Sequence, residues 1–329
     1  MKLEESKVVV TGGAGFVGSH LTEALLKKRC KVTILDNLSN GFIENISHLL
    51  NCDNKVNFIQ GDIRDAEVCM KACEGAQVVF HEAAQINPVL AVEDPSLDFE
   101  INARGTLNML EAARKKDVKK FIFASTNVYA NPKYLPIDEN HPIDLLSPYA
   151  ASKLSGEAYC IVYNNTYELK TVRLRNTNIY GPRQRSTKNE SGVVTIFIER
   201  ILKGTCPIVF GDGDQTRDFV YVSDVIQANI LAAESEKAQG DVFNIGSGHE
   251  TSVNTLAKHI LKIAGKEYLT PEYAPCRAAD FTRCVANITK ARKVIRFNPK
   301  ITLEKGLRKT VEWWERSTTS QNERGTRAL

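Results

Sequence analysis

The sequence predicts an α/β fold built on a doubly wound parallel sheet. Short β-branched runs alternate with amphipathic stretches through roughly the first 175 residues, and these runs are almost continuously apolar, as in parallel strands that helices cover on both faces. In addition, a glycine-rich turn joins the first strand to the first helical stretch, which is typical of a dinucleotide-binding βαβ unit.

The elements follow one another in a regular order. Strands are predicted at residues 7–11, 31–36, 56–61, 77–83, 119–125 and 170–175. Helices are predicted over roughly 16–28, between the third and fourth strands, over 93–116, and around Tyr149 and Lys153. The 93–116 stretch is predicted as one long helix because its leucines and isoleucine approximate a helical stripe. Residues 315–329 are polar and without periodicity, which predicts a frayed tail.

Composition excludes several classes of protein. The 329 residues are 43% hydrophobic and 25% charged, with a net charge of +4 spread along the chain. This charge is too diffuse to predict a nucleic-acid partner, and no apolar run approaches the roughly 20 residues of a membrane span. The beginning MKLEESKVVV does not resemble a signal peptide, so the eight cysteines predict reduced thiols and a cytoplasmic location. No cluster of histidines and cysteines predicts a metal site.

The glycine turn predicts a cofactor. Gly12, Gly15 and Gly18 form a Gly-x-x-Gly-x-x-Gly pattern between a strand and a helix, where a pyrophosphate can lie at the positive end of the helix. Asp36 ends the second strand about 20 residues later, where its carboxylate can accept hydrogen bonds from an adenosine ribose. A carboxylate there repels a 2′-phosphate, which favours NAD over NADP.

The motifs together resemble those of a known family. TGGAGFVGSH, LDNLSNG, GDIRD, HEAAQ, the Tyr149–Lys153 pair and YGPRQ have the order and spacing of the extended short-chain dehydrogenase/reductases. GDGDQTRDFVYVSDV, FNIGSG and EKGLRKTVEWW resemble its NAD-dependent epimerase/dehydratase branch. The resemblance covers about residues 6 to 315 and is greatest to UDP-glucose 4-epimerases and their UDP-N-acetylglucosamine relatives. It implies an isomerase that binds a UDP-sugar and keeps its NAD.

The resemblance gives Ser125, Tyr149 and Lys153 catalytic roles. Tyr149 and Lys153 are one helical turn apart and lie on one face. The Lys153 ammonium and the nicotinamide of bound NAD favour the phenolate, which lowers the pKa of Tyr149 towards working pH. Tyr149 then takes the proton of the sugar 4-hydroxyl, and Ser125 bonds the same oxygen. Transient oxidation at carbon 4 allows the hydride to return to the opposite face.

Other positions match the binding residues of the family. Contacts to NAD are implied for the three glycines, for the two residues of the Tyr149–Lys153 pair, and for Phe16, Val17, Asp36, Asn37, Asp62, Ile63, Ala83, Ala84 and Asn102. Contacts to the UDP-sugar are implied for Ser125, Tyr149, Asn178, Val193, Phe210, Arg217, Arg277, Asp280 and Cys284. The two arginines suit a diphosphate because each guanidinium can fork onto phosphate oxygens.

Departures from the family pattern narrow the reaction. Thr126 and Asn127 stand where 4,6-dehydratases carry an Asp–Glu pair, which argues against dehydration. A UDP-glucuronate 4-epimerase or decarboxylase stays open, as does, more remotely, a non-catalytic NAD-binding regulator. Cys284 is a small residue that would admit an N-acetyl group at carbon 2, although it could simply pack. The departures at Asn87, Ala91, Ala130, Asn176 and Ala279 put some sugar contacts in doubt or have no account.

The resemblance also implies a domain division and a partner. We expect an NAD-binding Rossmann domain at residues 1–177 plus 214–245 and a nucleotide-sugar-binding domain at 178–213 plus 246–314, with a flexible tail at 315–329. The long 93–116 helix and the Tyr149 helix commonly pair across a two-fold axis in such enzymes. We therefore expect a homodimer.

Overall fold

The computed structural model describes residues 2–50, 55–126, 132–185, 192–276 and 282–326. Its strands are β1 (Lys7–Thr11), β2 (Lys31–Asp36), β3 (Val56–Gln60), β4 (Val78–His81), β5 (Lys120–Thr126), β6 (Lys170–Asn176), β7 (Asn178–Tyr180), β8 (Ile208–Phe210), β9 (Thr216–Tyr221), β10 (Val242–Ile245), β11 (Glu250–Ser252) and β12 (Glu272–Ala274). Its α-helices are α1 (Phe16–Lys27), α2 (Ser47–Leu50), α3 (Ala66–Ala72), α4 (Pro88–Glu93), α5 (Pro95–Phe99), α6 (Gly105–Lys115), α7 (Pro148–Thr166), α8 (Val193–Leu202), α9 (Val222–Glu234), α10 (Val253–Ile263), α11 (Thr289–Val294) and α12 (Leu303–Thr326).

The main sheet is seven-stranded and parallel, in the order β10-β6-β5-β4-β1-β2-β3. The strand order reverses between β1 and β4, so a crevice opens there at the carboxyl ends of the strands. The predicted doubly wound fold is confirmed. Two small sheets lie beyond it: β11-β9-β7, and the pair β12-β8.

Alternation along the strands builds two apolar layers. Val8 and Val10 of β1 belong to a core cluster with residues of α1, α8, α9 and α10. Val9, between them, belongs to the opposite cluster, together with residues of α3, α6 and α7. Because successive strand residues point to opposite faces, burial on both faces makes every position of β1 after Lys7 apolar or fully buried. This explains the near-continuous apolar runs of the sequence.

The long predicted helix at 93–116 is divided. Asp94 ends α4 and caps α5, where its carboxylate accepts from the Leu97 N–H at 2.9 Å. A π-helical turn, Glu100–Arg104, then widens the helix before α6 begins. The interruption has a local cause in the Asp94–Pro95 step, because proline suits the first helical position and cannot continue a preceding helix.

The chain end also differs from the prediction. Residues 315–326, which were expected to fray, continue α12, and residues 327–329 lie outside the described ranges. A helix that starts on a buried face at Leu307 and Val311 propagates into a polar stretch because each added residue gains one backbone hydrogen bond.

Asp218 of β9 joins the smaller sheet to two loops. Its buried carboxylate accepts from the N–H and hydroxyl of Ser247, and from the N–H groups of Gly248 and Ala286. Burial raises the pKa of Asp218, and these four donors oppose that rise. Although β9 lies within the 214–245 return segment, it pairs with β7 and β11, whereas β10 joins the main sheet. The two-domain division proposed from the sequence stays a prediction.

Candidate active site

The glycine turn closes tightly against the start of α1. The Gly15 N–H donates to the Gly12 carbonyl at 3.0 Å, and Gly15 precedes α1 with extended backbone and without a side-chain cap. A Cβ on Gly18 would lie 2.1 Å from the Gly12 carbonyl oxygen, so only glycine lets the helix approach the turn. The N–H groups of the first helical turn, which begins with Phe16 and Val17, are therefore placed to receive an anion.

Asp36 lies beside this turn at the end of β2. Its side chain is buried, and its two oxygens accept from the N–H groups of Ala14 at 2.9 Å and Leu38 at 2.8 Å. Burial raises the pKa of Asp36, and the backbone donors oppose the rise. Each carboxylate oxygen has a further lone pair, so Asp36 keeps capacity to accept from ribose hydroxyls.

Asn37 and Asp62 meet at the ends of β2 and β3. The Asn37 amide donates to Asp62 Oδ2 at 2.8 Å, and the Arg64 guanidinium forks onto both Asp62 oxygens at 3.0 and 2.8 Å. The Arg64 hydrogen bonds lower the pKa of Asp62 to about 2. Arg64 was not among the residues singled out in the sequence, and it holds the carboxylate that was expected to face an adenine amino group.

The remaining predicted cofactor positions line the same crevice. Ile63 is buried, and the Ala83 N–H donates to Thr11 Oγ1 at 3.1 Å, with Ala84 next in the loop after β4. These positions follow the carboxyl ends of β1 to β4, where the sheet order reverses. The uncapped helix, the space that a Cβ at Gly18 would fill, and the buried carboxylate together fit a dinucleotide.

Asn102 ties the loop after β4 to α7. It lies in the π-helical turn, where its Oδ1 accepts from the Gln85 N–H and its Nδ2 donates to the Gln85 carbonyl, both at 2.9 Å. The same amide nitrogen lies 3.2 Å from Ser152 Oγ, which donates to the Tyr149 carbonyl at 3.0 Å. Side chains that the sequence did not single out thus connect Asn102 to the helix carrying Tyr149.

Helix α7 lies unusually close to the sheet. A Cβ on Gly156 would lie 2.5 Å from the Phe123 ring, so a larger residue would push α7 away from β5. With glycine there, Lys153 is 3% exposed and its Nζ lies 4.5 Å from the centroid of the Phe123 ring. Ser147 caps α7 by accepting from the Ala150 N–H at 3.2 Å, which fixes the turn that carries Tyr149.

Ser125 is bonded to a buried ion pair. Its hydroxyl donates to Glu157 Oε1 at 2.5 Å. Arg175, which is opposite Ser125 on β6, donates to the two Glu157 oxygens at 2.8 and 2.6 Å. Glu157 lies one helical turn after Lys153, so Tyr149, Lys153 and Glu157 follow one another along one face of α7. The sequence spacing could have indicated Glu157, because it repeats the four-residue interval.

Two titratable groups beside the site have displaced pKa values. Burial lowers the pKa of Lys153 to about 8, and the Glu82 carboxylate opposes this shift. Burial raises the pKa of Glu82 to about 7, and Lys153 opposes that shift in turn. Glu82, the second residue of HEAAQ, follows β4 and was not singled out in the sequence. Charged groups near Lys153 can therefore change protonation close to neutral pH.

His81 forms an uncharged layer under Lys153. It is fully buried, its ring nitrogens lie 2.8 and 3.1 Å from the hydroxyls of Thr11 and Thr106, and its ring stacks on Phe123 with centroids 5.9 Å apart. Burial lowers the pKa of His81 to about 3, and Lys153 adds to the shift. His81 is therefore neutral at neutral pH.

The predicted substrate positions are only partly brought together. The Asn178 amide donates to the Asp218 carbonyl at 3.4 Å, and Arg217 is buried with Nη1 donating to the Thr216 carbonyl at 2.8 Å. Asn178 and Arg217 thus belong to neighbouring strands of the small sheet. Val193 begins α8, and Phe210 ends β8. Arg277 and Asp280 lie outside the described residues, as do Asn127, Ala130 and Ala279.

Cys284 packs against the catalytic helix. It is 1% exposed and forms a small apolar cluster with Ile137, Leu135 and Leu154, the residue after Lys153. Asn87, at another position of departure, caps α4 by accepting from the Val89 N–H at 2.8 Å. Ala91 is fully buried. Each of these side chains therefore has a local packing or capping role besides any contact with a sugar.

Two further searches covered the described ranges. No helix there is long and apolar enough to cross a lipid bilayer. Nor do three His, Cys, Asp or Glu side chains in that part of the chain form a group that could hold a metal ion.

Residues 8–246 match the NAD dependent epimerase/dehydratase family. A putative UDP-glucose 4-epimerase of Methanocaldococcus jannaschii is 44% identical over 93% of this chain and 97% of its own length. The UDP-glucose 4-epimerase of Mycolicibacterium smegmatis is 40% identical over 94% and 98%.

Solved structures agree over nearly the whole chain. UDP-glucose 4-epimerase of Thermotoga maritima with UDP-glucose has a TM-score of 0.89 at 39% identity, covering 95% of this chain and 99% of that one. UDP-N-acetylglucosamine 4-epimerase of Methanobrevibacter ruminantium, in complex with UDP-N-acetylmuramic acid, has a TM-score of 0.90 at 36%, covering 96% and 100%. UDP-glucuronic acid 4-epimerase of Bacillus cereus, with UDP-glucuronic acid and NAD, has 0.87 at 31%, covering 94% and 99%.

The burial of neutral His81 predicts a pH-dependent contribution to stability. Its pKa is about 3 in the folded protein against 6.5 for the free side chain, so the unfolded chain binds the extra proton between these values. Stability from His81 is complete above the unfolded pKa and is lost as pH falls towards the folded one. Between about pH 7 and pH 5, the free energy of unfolding should therefore fall about 2 kcal/mol less in His81→Gln than in the wild type.

Urea unfolding at the two pH values measures this difference. Comparing two proteins removes the opposing contribution of Glu82, which both retain. His249→Gln, at an exposed position, is the matched control and should keep the wild-type dependence on pH. Equal pH dependence in His81→Gln and the wild type would contradict the prediction.

Proposed function

Because the chain belongs to the NAD-dependent epimerase/dehydratase family, we propose that it inverts the 4-hydroxyl of a UDP-hexose. The observation that carries the proposal is the packing of α7 on β5, which buries Lys153 over Phe123 and bonds Ser125 to Glu157, one turn farther along the helix. Tyr149 precedes Lys153 by one turn on the same face. The groups needed to handle a proton at a sugar oxygen are therefore on one packed unit beside the dinucleotide crevice.

The chain supplies the acid–base chemistry of this reaction. Tyr149 as phenolate removes the proton from the 4-hydroxyl, and the Lys153 ammonium favours that phenolate. Ser125 bonds the reacting oxygen. NAD, when bound, takes a hydride from carbon 4 and returns it to the opposite face of the ring, so no net oxidation occurs. Tyr149 returns the proton to the same oxygen after the 4-keto sugar has turned.

The smaller sheet and its loops hold the nucleotide in this proposal. Arg217 and Arg277 neutralise the diphosphate, Asn178 and Val193 line its path, Phe210 packs beside uracil, and Asp280 accepts from the uridine ribose. Such an enzyme must bind the nucleotide firmly while the sugar turns. UDP-glucose and UDP-galactose are the proposed substrates, and the small Cys284 extends them to the N-acetyl sugars.

Incubation with UDP-glucose, UDP-N-acetylglucosamine and UDP-glucuronate tests the reaction. We expect NMR to show products inverted at carbon 4 from the hexose or N-acetylhexose substrate. Inversion of UDP-glucuronate alone, or its loss of carbon dioxide, would replace the proposal by the corresponding glucuronate enzyme. Absence of turnover on all three would leave a non-catalytic NAD-binding protein.

Tyr149→Phe tests the assigned base in the same assay. It should lower turnover by about 10³-fold or more, because the phenyl ring cannot accept a proton, while NAD stays bound. Tyr268→Phe is the matched control, since Tyr268 is 74% exposed and should turn over like the wild type. Retained activity in Tyr149→Phe would refute the assignment.

Cys284→Tyr tests the breadth of the sugar site. The larger side chain should lower the ratio of UDP-N-acetylglucosamine to UDP-glucose turnover by about tenfold or more. The ratio is the useful quantity because a tyrosine in this buried cluster also strains packing, and that loss affects both substrates. Cys284→Ala, which stays small, should keep the wild-type ratio. An unchanged ratio in folded Cys284→Tyr would leave Cys284 with packing alone.

We also propose a homodimer formed through α4, α5 and α7. Large apolar side chains stand exposed on these helices, including Val89 at 64%, Phe99 at 53% and Val162 at 47%. An apolar face that extends over neighbouring helices marks an interface, and a second copy presents the same face in an isologous dimer.

Sedimentation analysis should give about twice the 36.6 kDa chain mass. Val162→Glu should shift the protein towards monomer, because it places a charge in an apolar contact. A glutamate at exposed Tyr268, remote from these helices in sequence, is the control. A monomeric wild type at micromolar concentration would defeat the dimer.

The expected cytoplasmic location is likewise a proposal. The seven cysteines in the described part of the chain are free thiols, which suits a reducing compartment.

A further inference from the structure

Ser125 is bonded to an acidic side chain for which the proposed mechanism has no use. Ser125 Oγ lies 2.5 Å from Glu157 Oε1, and the two residues are 5% and 1% exposed. A carboxylate offers only acceptors, so the serine hydroxyl is the donor. The hydroxyl expected at the reacting sugar oxygen therefore has a fixed partner on its protein side.

Arg175 fixes the other side of this carboxylate. Its Nε and Nη2 donate to the two Glu157 oxygens at 2.8 and 2.6 Å, which is the forked geometry of an arginine–carboxylate pair. Arg175 and Ser125 are register partners on β6 and β5, so their side chains reach α7 from adjacent positions. The fork leaves Glu157 little freedom to turn away from Ser125.

We propose that Glu157, held by Arg175, is a positioning residue that sets the place and orientation of the Ser125 hydroxyl before the sugar binds. The inference rests on the proposed 4-epimerase function, to which it adds a residue that acts through Ser125. An acidic side chain that only neutralised Arg175 would need no third partner, whereas Glu157 directs one oxygen at the serine. Preorganisation of this kind contributes to rate because the group need not reorient during reaction.

A similar triad elsewhere provides the comparison. Arg114 forks onto Glu111 at 3.0 and 3.0 Å, and the Tyr163 hydroxyl donates to Glu111 Oε1 at 2.5 Å. This triad also joins α7 to its neighbour, but it is partly exposed and none of its members is in the proposed catalytic set. The same Glu→Gln substitution at the two sites therefore separates an effect on Ser125 from the general loss of an arginine–glutamate–hydroxyl contact.

The test is a double-mutant cycle of Glu157→Gln with Ser125→Ala. Gln has the shape of Glu but replaces one acceptor by an N–H donor, so Arg175 and Ser125 no longer both find acceptors. We expect Glu157→Gln to lower kcat on the order of 10- to 100-fold with KM for the UDP-sugar nearly unchanged. In the Ser125→Ala background, the same substitution should cause no further loss. Equal losses in both backgrounds would show independent action and overturn the proposal.

Two variants guard the interpretation. Glu111→Gln should keep the wild-type kcat. Glu157→Gln combined with Arg175→Gln removes the unpaired buried guanidinium that could prevent folding of the single variant, and it should keep the lowered kcat. Wild-type kcat in this pair would mean that the lost activity came from charge imbalance, which would also overturn the proposal.

The two failures can be told apart. A wild-type protein that inverts no UDP-sugar overturns the proposed function and this inference with it. An active wild type with independent losses in the cycle overturns only the role of Glu157.

Discussion

The position of α7 against the sheet depends on one buried ion pair. Glu157 on the helix and Arg175 on β6 are 2% and 7% exposed in their side chains and are bonded through both carboxylate oxygens. Because an unpaired charge at this depth is costly, breaking such a pair typically costs about 3–5 kcal/mol. Gly156 lets the helix approach closely enough for the pair to form, and the same approach buries Lys153 and reaches Ser125.

Burial of charge has consequences beyond geometry. Lys153, Glu82 and His81 lie in a region where desolvation dominates their pKa values, which are about 8, 7 and 3. The acid and the base oppose each other's shifts, while the histidine is neutral. Interactions between charges are stronger where water is excluded, so a cationic cofactor entering the crevice acts on a lysine and a carboxylate that are both near their titration points.

The sequence predicted much of the site and missed its supports. Gly12, Gly18 and Asp36 were identified because phosphate and ribose binding require those residue types at that spacing. Glu157, Arg175 and Glu82 carry no such pattern. Their partners are distant in sequence, since Arg175 meets Glu157 only after β6 has paired with β5 and α7 has packed across both strands. Asn87 and Cys284 were considered for sugar contacts, and the structure shows a helix cap and an apolar cluster.

By itself, the sequence determined the fold class, the order of the strands along the chain and the nature of the cofactor crevice. These follow from local rules, because strand burial shows in apolar runs and a phosphate-binding turn shows in its glycines. Tertiary structure alone decided where the 93–116 helix is interrupted, how far α12 continues, and which acid lies behind Ser125. Those outcomes depend on packing between distant segments, where a buried charge must find its partner across the fold.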